Sequence, residues 1–300
     1  MVNAPKISVV MGCYNQLSVL QRVLAAYEHQ TLNPDLFEVI VVNSSSPDGT
    51  AEWAQTYHPN FQFRHLLVPN RGKAAARNTG VSQARGQWII ITDADMIPVP
   101  QFLAAHLAAQ EATTRPTCFE GLAWNLPTLE WPPTPATLKP QVGTHPADRA
   151  KLGWYYFLTG NLSFPKAIFE EFKGFDPTFT GYGWEDLELG YRLQKAKVPI
   201  LYLRTAINYH FHVIAPDADI VRGEDKGRSA KIMLAKHPEL KWFLGLNPLS
   251  AAIFPRIAKG GPLYRWISEK CYHSQNPILH GFGFWFLKEH HYLQGILSDA

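Results

Sequence analysis

Apolar positions in the first half of the chain fall into two alternating rhythms. Short apolar runs bounded by polar residues, at 6–12 (KISVVMG), 38–43 (EVIVVN), 61–68 and 88–92 (WIIIT), read as buried strands. Between the first two, Leu17, Leu20, Val23, Leu24 and Tyr27 recur at helical spacing and predict a helix to about residue 29. A helix over 51–57, capped by Thr50, follows the turn Ser44-Ser45-Ser46-Pro47-Asp48-Gly49. Further helices are predicted over 74–84 and 101–112. Strands alternating with helices at this spacing mean βαβ units and a parallel sheet.

After residue 118 the pattern changes. Residues 118–124 read as a strand, and 125–146 hold six prolines without periodicity, the composition of a binding loop or lid. Residues 165–172 predict a short helix with proline at its first position. Gly174-Phe175-Asp176 precedes Gly181-Tyr182-Gly183-Trp184-Glu185-Asp186, and a helix is predicted from Glu185. Its carboxylates sit at the end that a helix dipole favours. A strand at 200–203 leads to Asn208-Tyr209-His210-Phe211-His212. Residues 242–300 are rich in aromatics and prolines, with basic Arg256, Lys259, Arg265 and Lys270, and 282–287 form their most apolar stretch. The expected organisation is one domain over 1–240, in two halves (1–100 and 101–240), and an aromatic-rich appendage over 241–300.

Composition narrows the classes. Three hundred residues, 46% hydrophobic and 18% charged, suffice for a sizeable core. A net charge of +3, with no basic block, argues against nucleic acid as a partner. Cys13, Cys118 and Cys271 lack metal-ligand spacing and fit a reducing compartment. No run reaches the roughly 20 apolar residues of a membrane helix, and the first strand begins too early for a signal peptide. The expected location is cytoplasmic, with peripheral contact at the inner face of a membrane through the C-terminal segment as the sharper reading of its aromatics and basic residues.

The chemistry centres on Asp93-Ala94-Asp95, two carboxylates one residue apart at the end of an apolar strand. Burying unpaired carboxylates is costly, so they call for a cation or strong donors, and the ends of strands in an open α/β sheet are where ligands bind. Hard oxygen ligands suit Mg²⁺ or Mn²⁺. Gly12-Cys13-Tyr14-Asn15 is not the glycine fingerprint of a dinucleotide-binding dehydrogenase.

Five stretches in order, VVMGCYNQ, EVIVVNSSSPDGT, NRGKAAARNTG, GQWIIITDADMIP and GFDPTFTGYGWEDLELGYRL, together resemble the family 2 glycosyltransferases of the GT-A fold. The last block is similar to the acceptor-side motif of galactosyl- and N-acetylgalactosaminyltransferases. The resemblance implies a Rossmann-like, mostly parallel sheet flanked by helices, with a helical C-terminal appendage. It implies an inverting hexosyltransferase that moves a hexose or hexosamine from a nucleotide-sugar, UDP-sugar by default, to a glycan or lipid-linked acceptor. On the same resemblance Asp95 binds the cation, with His210 or His212 completing its shell, and Asp93 contacts the ribose or the metal. Tyr14, Asn15, Asn43, Arg77 and Asn78 face the nucleotide. Asp186 is the general base, with Glu185 and Trp184 at the acceptor sugar. Two departures stand out. Gly12-Cys13 replaces Pro-Thr, and Asn43-Ser44 replaces an Asp-Asp pair, which removes a charge from the base contact. A GT-A-shaped binding protein without turnover is the alternative, and the absence of Gln-x-x-Arg-Trp before Trp266 excludes a processive synthase.

Overall fold

A computed structural model describes residues 4–126, 130–133, 138–140, 146–212, 215, 217–246 and 260–297. Arg256 and Lys259, and much of the predicted 125–146 loop, lie outside the described residues. The chain divides into two compact units, Met1–Pro177 with Glu185–Val213, and Thr178–Trp184 with Ile214–Ala300.

The first unit opens with β1 (Ile7–Cys13), α1 (Leu17–Glu28), β2 (Phe37–Asn43), α2 (Thr50–Thr56), β3 (Gln62–Leu67), α3 (Lys73–Gln83) and β4 (Trp88–Asp93). It continues with β5 (Met96–Pro98), α4 (Phe102–Glu111), β6 (Cys118–Asn125), β7 (Lys139–Pro140), β8 (Lys151–Leu152), β9 (Leu162–Pro165), α5 (Lys166–Glu171), α6 (Glu185–Lys195) and β10 (Ile200–His210). The sheet runs β3-β2-β1-β4-β9-β6-β10-β5, with β7 on β6 and β8 on β10. The β3, β2, β1 and β4 pairings are parallel, as is β6 with β10, while β9 and β5 pair antiparallel to their neighbours. Chain order reverses between β1 and β4, so the carboxyl ends of β1, β2 and β4 open a crevice at a topological switch point.

Alternation along β1 explains the layers. Ile7, Val9 and Met11 face a core shared with Leu20, Val23, Leu24 and Tyr27 of α1. Val10 faces the other way, into a core with Ile40, Val42, Ile89, Ile91 and the Ala74–Val81 face of α3. Gly80 lets α3 approach closely, since a Cβ there would stand 2.3 Å from Val10 Cγ1 and 2.9 Å from Val42 Cγ2.

Two boundaries differ from the sequence reading. Thr50 is the first residue of α2 and not its cap; Gly49 precedes it at φ 84°. Asp48 does the capping, and accepts from the N–H groups of both Thr50 (3.2 Å) and Leu17 (2.8 Å), so one carboxylate serves two helix starts. Pro165 precedes α5 as its cap residue instead of opening it.

A buried polar chain runs between α4 and the sheet, on the side of the first core. His106 of α4 reaches Asn161 Oδ1 through Nε2 and Ser163 Oγ through Nδ1, both at 2.9 Å. Asn161 Nδ2 donates to the Ala206 carbonyl at 3.0 Å. Asn208 Nδ2 (2.8 Å) and Thr92 Oγ1 (3.1 Å) both donate to the Gly160 carbonyl. Together these bonds fix the Thr159-Gly160-Asn161 turn.

The second unit is helical, with α7 (Ala218–Val221), α8 (Gly223–Lys236), α9 (Pro262–Trp266) and α10 (Pro277–Leu297). Among the described residues no helix is long and apolar enough to cross a membrane.

Burial lowers the His106 pKa to about 4 from an ordinary 6.5, with the Asn161 bond only partly offsetting it. The native state therefore holds a neutral imidazole, while an unfolded chain takes up a proton below about 6.5. Stability contributed by this site is present above pH 6.5 and is lost as pH falls towards 4. Urea unfolding across that window is expected to lose about 3 kcal/mol through this group, and His106→Gln is expected to flatten the slope.

Candidate active site

Asp93 ends β4, level with Gly12 of β1 in the parallel register, and Asn43 pairs with Cys13 across the same edge. Tyr14 is exposed just beyond β1, and Asn15 follows it at φ 54°, its N–H donating to Ser46 Oγ at 2.9 Å. Asn43 is fully buried; its Oδ1 accepts from the Ser46 N–H at 2.8 Å and its Nδ2 has no partner among the described residues.

Arg77 stands at the centre. Its guanidinium is only 2% exposed, and its two terminal nitrogens reach Asp93 Oδ1 (2.8 Å) and Glu185 Oε1 (2.9 Å). One buried cation thus ties the end of β4 to the first residue of α6. The sequence reading placed Arg77 against base or diphosphate, but here these nitrogens are committed to protein carboxylates. A signal for its burial was present. Ala74, Arg77 and Val81 fall at helical spacing on one stripe of α3, and all three are buried. Asn78 also departs from its expected place at the nucleotide. Its amide donates to the Phe175 carbonyl (2.7 Å) and accepts the Phe175 N–H (2.9 Å), which uses both ends to hold the Gly174-Phe175 turn.

Three carboxylates share this corner. Burial raises the Asp93 pKa, but Lys73 and Arg77 outweigh it and hold the carboxyl below the usual range. Glu185 is 4% exposed, and its Oε2 has no partner among the described residues. Asp186 accepts the Leu187 N–H at Oδ1 (2.8 Å), and Thr159 Oγ1 stands 3.5 Å from its Oδ2. Burial, and then the Glu185 charge, push its pKa up to about 7, with Arg77 and Lys73 opposing. Sequence reasoning missed Glu120 of β6. It is 2% exposed, accepts the Leu158 N–H at 3.2 Å, and is pushed well above the carboxylate range by burial and by Asp186. No spacing rule links residue 120 to residue 186.

Asp95 sits in the turn between β4 and β5. Its Oδ2 lies 3.3 Å from both Gln16 Nε2 and His210 Nε2, and its buried Oδ1 has no partner among the described residues. The antiparallel β5–β10 pair sets this contact, with His210 opposite Met96 and the Phe211 N–H donating to the Asp95 carbonyl at 2.7 Å. Asn125 Oδ1, 3.2 Å from His210 Nδ1, orients the ring. His212 lies beyond the strand end and is exposed, its ring centroid 5.6 Å from that of His210. Among the described residues no group of three His, Cys, Asp or Glu is arranged to hold a metal ion. Asp95 and His210 offer two donors, one carboxylate oxygen and one imidazole nitrogen. Trp184 belongs to the second unit, at φ 73°, its ring edge-on to Phe243.

The profile of glycosyl transferase family 2 matches residues 8–172, more than half of the chain. The chain belongs to this family. A second profile, the N-terminal domain of galactosyltransferase, matches residues 144–214, which include Asp186 and His210. The validoxylamine A glucosyltransferase of Streptomyces hygroscopicus subsp. limoneus is 31% identical over 231 residues, 67% of this chain and 51% of that protein. The chain spans about half the length of such relatives. Among solved structures, the mannosyltransferase PcManGT from Pyrobaculum calidifontis, in complex with GDP-Man and Mn²⁺, has a TM-score of 0.64 at 17% identity, with 99% of this chain and 89% of that chain covered. GalNAc-T7 with UDP, GalNAc and Mn²⁺ has a TM-score of 0.54 at 18% identity, covering 69% and 44%. These glycosyltransferase neighbours share the α/β fold, and the expected family, GT-A fold and helical C-terminal part are all found.

Arg77→Met is expected to destabilise the protein by about 3–5 kcal/mol, because it leaves Glu185 buried without its cation. In urea unfolding, Arg77→Met/Glu185→Gln is expected to recover much of that loss. Equal stabilities of the single and double variants would mean the two residues are not coupled.

Proposed function

We propose that the chain is an inverting glycosyltransferase that moves a hexose or hexosamine from a nucleoside diphosphate sugar, most simply a UDP-sugar, to an acceptor hydroxyl. The observation that carries this is the Arg77 bridge, which joins the carboxylate motif at the end of β4 to Glu185-Asp186 of α6 in one corner of the switch-point crevice. The complexes reported for structural neighbours, with GDP-Man and Mn²⁺ or with UDP, support a nucleotide-sugar in that crevice.

Tyr14, Asn15 and Asn43 lie on the base side, at the carboxyl ends of β1 and β2. Asp95, through its unpartnered Oδ1, and His210, through Nε2, would hold the divalent cation, which leaves His212 without that role. When bound, such a cation supplies charge neutralisation for a diphosphate leaving group. Lys73, half-exposed and 3.9 Å from Asp93, adds positive charge on the open side of the site. Asp186 takes the proton of the acceptor hydroxyl as that oxygen attacks the anomeric carbon. The bond from that carbon to the phosphate oxygen breaks in the same displacement, so the configuration inverts. A carboxylate with a pKa near 7 is well matched to this task, being both ionised at neutral pH and basic enough to accept a proton. Residues 1–100 then form the donor half and the following segment to residue 240 the acceptor half.

Calorimetry with UDP, GDP and dTDP, in Mn²⁺ and then in chelator, tests the donor site. One nucleotide is expected to bind in a metal-dependent manner, and Asp95→Ala to abolish that binding while leaving the fold intact by circular dichroism. Failure of all three nucleotides to bind the folded protein would overturn the reading.

The pH profile tests the base. Because Asp186 must be ionised, kcat/KM is expected to fall about tenfold per unit below pH 7. Asp186→Asn is expected to lower kcat roughly 100- to 10,000-fold with nucleotide affinity retained. An acidic limb unchanged in a still-active Asp186→Asn enzyme would assign the base elsewhere.

A further inference from the structure

The second unit carries an apolar surface that the proposed chemistry does not use. Helix α10 has two unlike halves. Its C-terminal half is packed, with Leu287, His290, Leu293 and Ile296 buried. There it meets α8 backbone to backbone, since a Cβ on Gly295 would lie 2.2 Å from the Glu224 carbonyl oxygen. Its N-terminal half meets Tyr272 at the buried Gly283 and leaves large apolar side chains exposed. Ile278 is 80% exposed and Trp285 55%, with Leu279 and Phe282 exposed beside them. Ile278, Phe282 and Trp285 fall at i, i+4 and i+7, so they form one stripe. Next to it in the chain, α9 exposes Leu263 and Trp266, and the turn Ile267–Tyr272 that joins the two helices is anchored by buried Ile267 and Cys271.

Single exposed apolar side chains are ordinary, but six large ones on two joined helices are not. Charge selects the partner. From Lys270 to Lys288 the sequence contains no Asp or Glu, while Arg265 and Lys270 are exposed beside the apolar residues. A polar recess at the same tip is lined by Tyr272, His273, Ser274, Gln275 and His280. Large apolar and aromatic side chains with imidazole neighbours, and with two exposed cations, Arg265 and Lys270, flanking one exposed carboxylate, Glu269, match the acyl–headgroup boundary of an anionic bilayer. A second copy of the chain fits less well, because a two-fold contact through this face would set Arg265 and Lys270 against their own copies.

We infer that the α9–α10 face docks on anionic lipid, with the N-terminal half of α10 lying in the membrane interface. The inference is independent of the transferase reading, since it needs neither donor nor acceptor.

Cosedimentation of the full chain with vesicles tests it. Binding is expected to phosphatidylcholine containing about one-third phosphatidylglycerol, and to be weak on phosphatidylcholine alone. Arg265→Gln and Lys270→Gln are each expected to weaken binding to the anionic vesicles about fivefold, and raised salt to do the same. Ile278→Glu/Trp285→Glu changes only exposed positions, and is expected to lower binding by at least about tenfold with an unchanged circular dichroism spectrum. The inference is overturned if the wild-type chain stays in the supernatant with anionic vesicles, or if the double variant sediments as well as wild type. It is equally overturned if light scattering shows a dimer that the double variant disperses while vesicles bind neither form, since the face then joins two copies.

Discussion

Arg77 carries a charge at 2% exposure, and the active-site corner is built around the need to neutralise it. Burial of a guanidinium is tolerated only with close, well-aligned anions. Asp93 and Glu185 supply them, one from the end of a strand and one from the start of a helix far along the chain. Two anions on one cation leave that cation saturated. A third carboxylate, Asp186, therefore meets burial and the Glu185 charge with too little positive potential to balance them, and its proton affinity rises. Asp93 escapes this because Lys73 stands on its open side. Neighbouring carboxylates thus acquire opposite behaviour from one allocation of positive charge, which is how a site comes to hold an anionic ligand-facing group beside a proton acceptor.

That allocation needs the α6 start and the β4 end held at fixed separation, and the buried polar chain under the sheet supplies the stiffness. His106, Asn161, Asn208 and Thr92 fix the backbone of the Thr159–Asn161 turn, whose Thr159 hydroxyl lies beside Asp186. A neutral imidazole serves here because one ring nitrogen donates and the other accepts. Burial keeps the ring uncharged, because a protonated imidazole would have to leave water with its charge. On the other side of the crevice the β5–β10 pair performs the same service for Asp95 and His210.

The alternation of apolar runs made the first four strands and three helices legible to within a residue or two, since period 2 and period 3.6 are written locally. The Asp93-Ala94-Asp95 and Glu185-Asp186 pairs were legible for the same reason. What escaped is non-local. Met96-Ile97-Pro98 is too short to announce a strand, and its identity as β5 depends on pairing with β10, which in turn extends that strand to His210. Glu120 reads as one residue of an apolar strand until β6 is placed beside β9. Asn78 was placed at the nucleotide by the family resemblance, and nothing in sequence shows the Phe175 backbone waiting for it.

Arg77 is the instructive case, because its role was written in a pattern read for another purpose. The alanines of α3 mark a stripe pressed so close to the sheet that Gly80 has no room for a side chain. An arginine on that stripe cannot reach solvent with its head as a surface arginine does. Its partners must then be carboxylates brought to it by the fold, and the chain offers them at the ends of the strand and the helix that carry the site's acidic motifs. A charged residue on the apolar stripe of a helix is better read as a demand for buried counter-charges than as a free hand for ligand, and the positions of those counter-charges then locate the site.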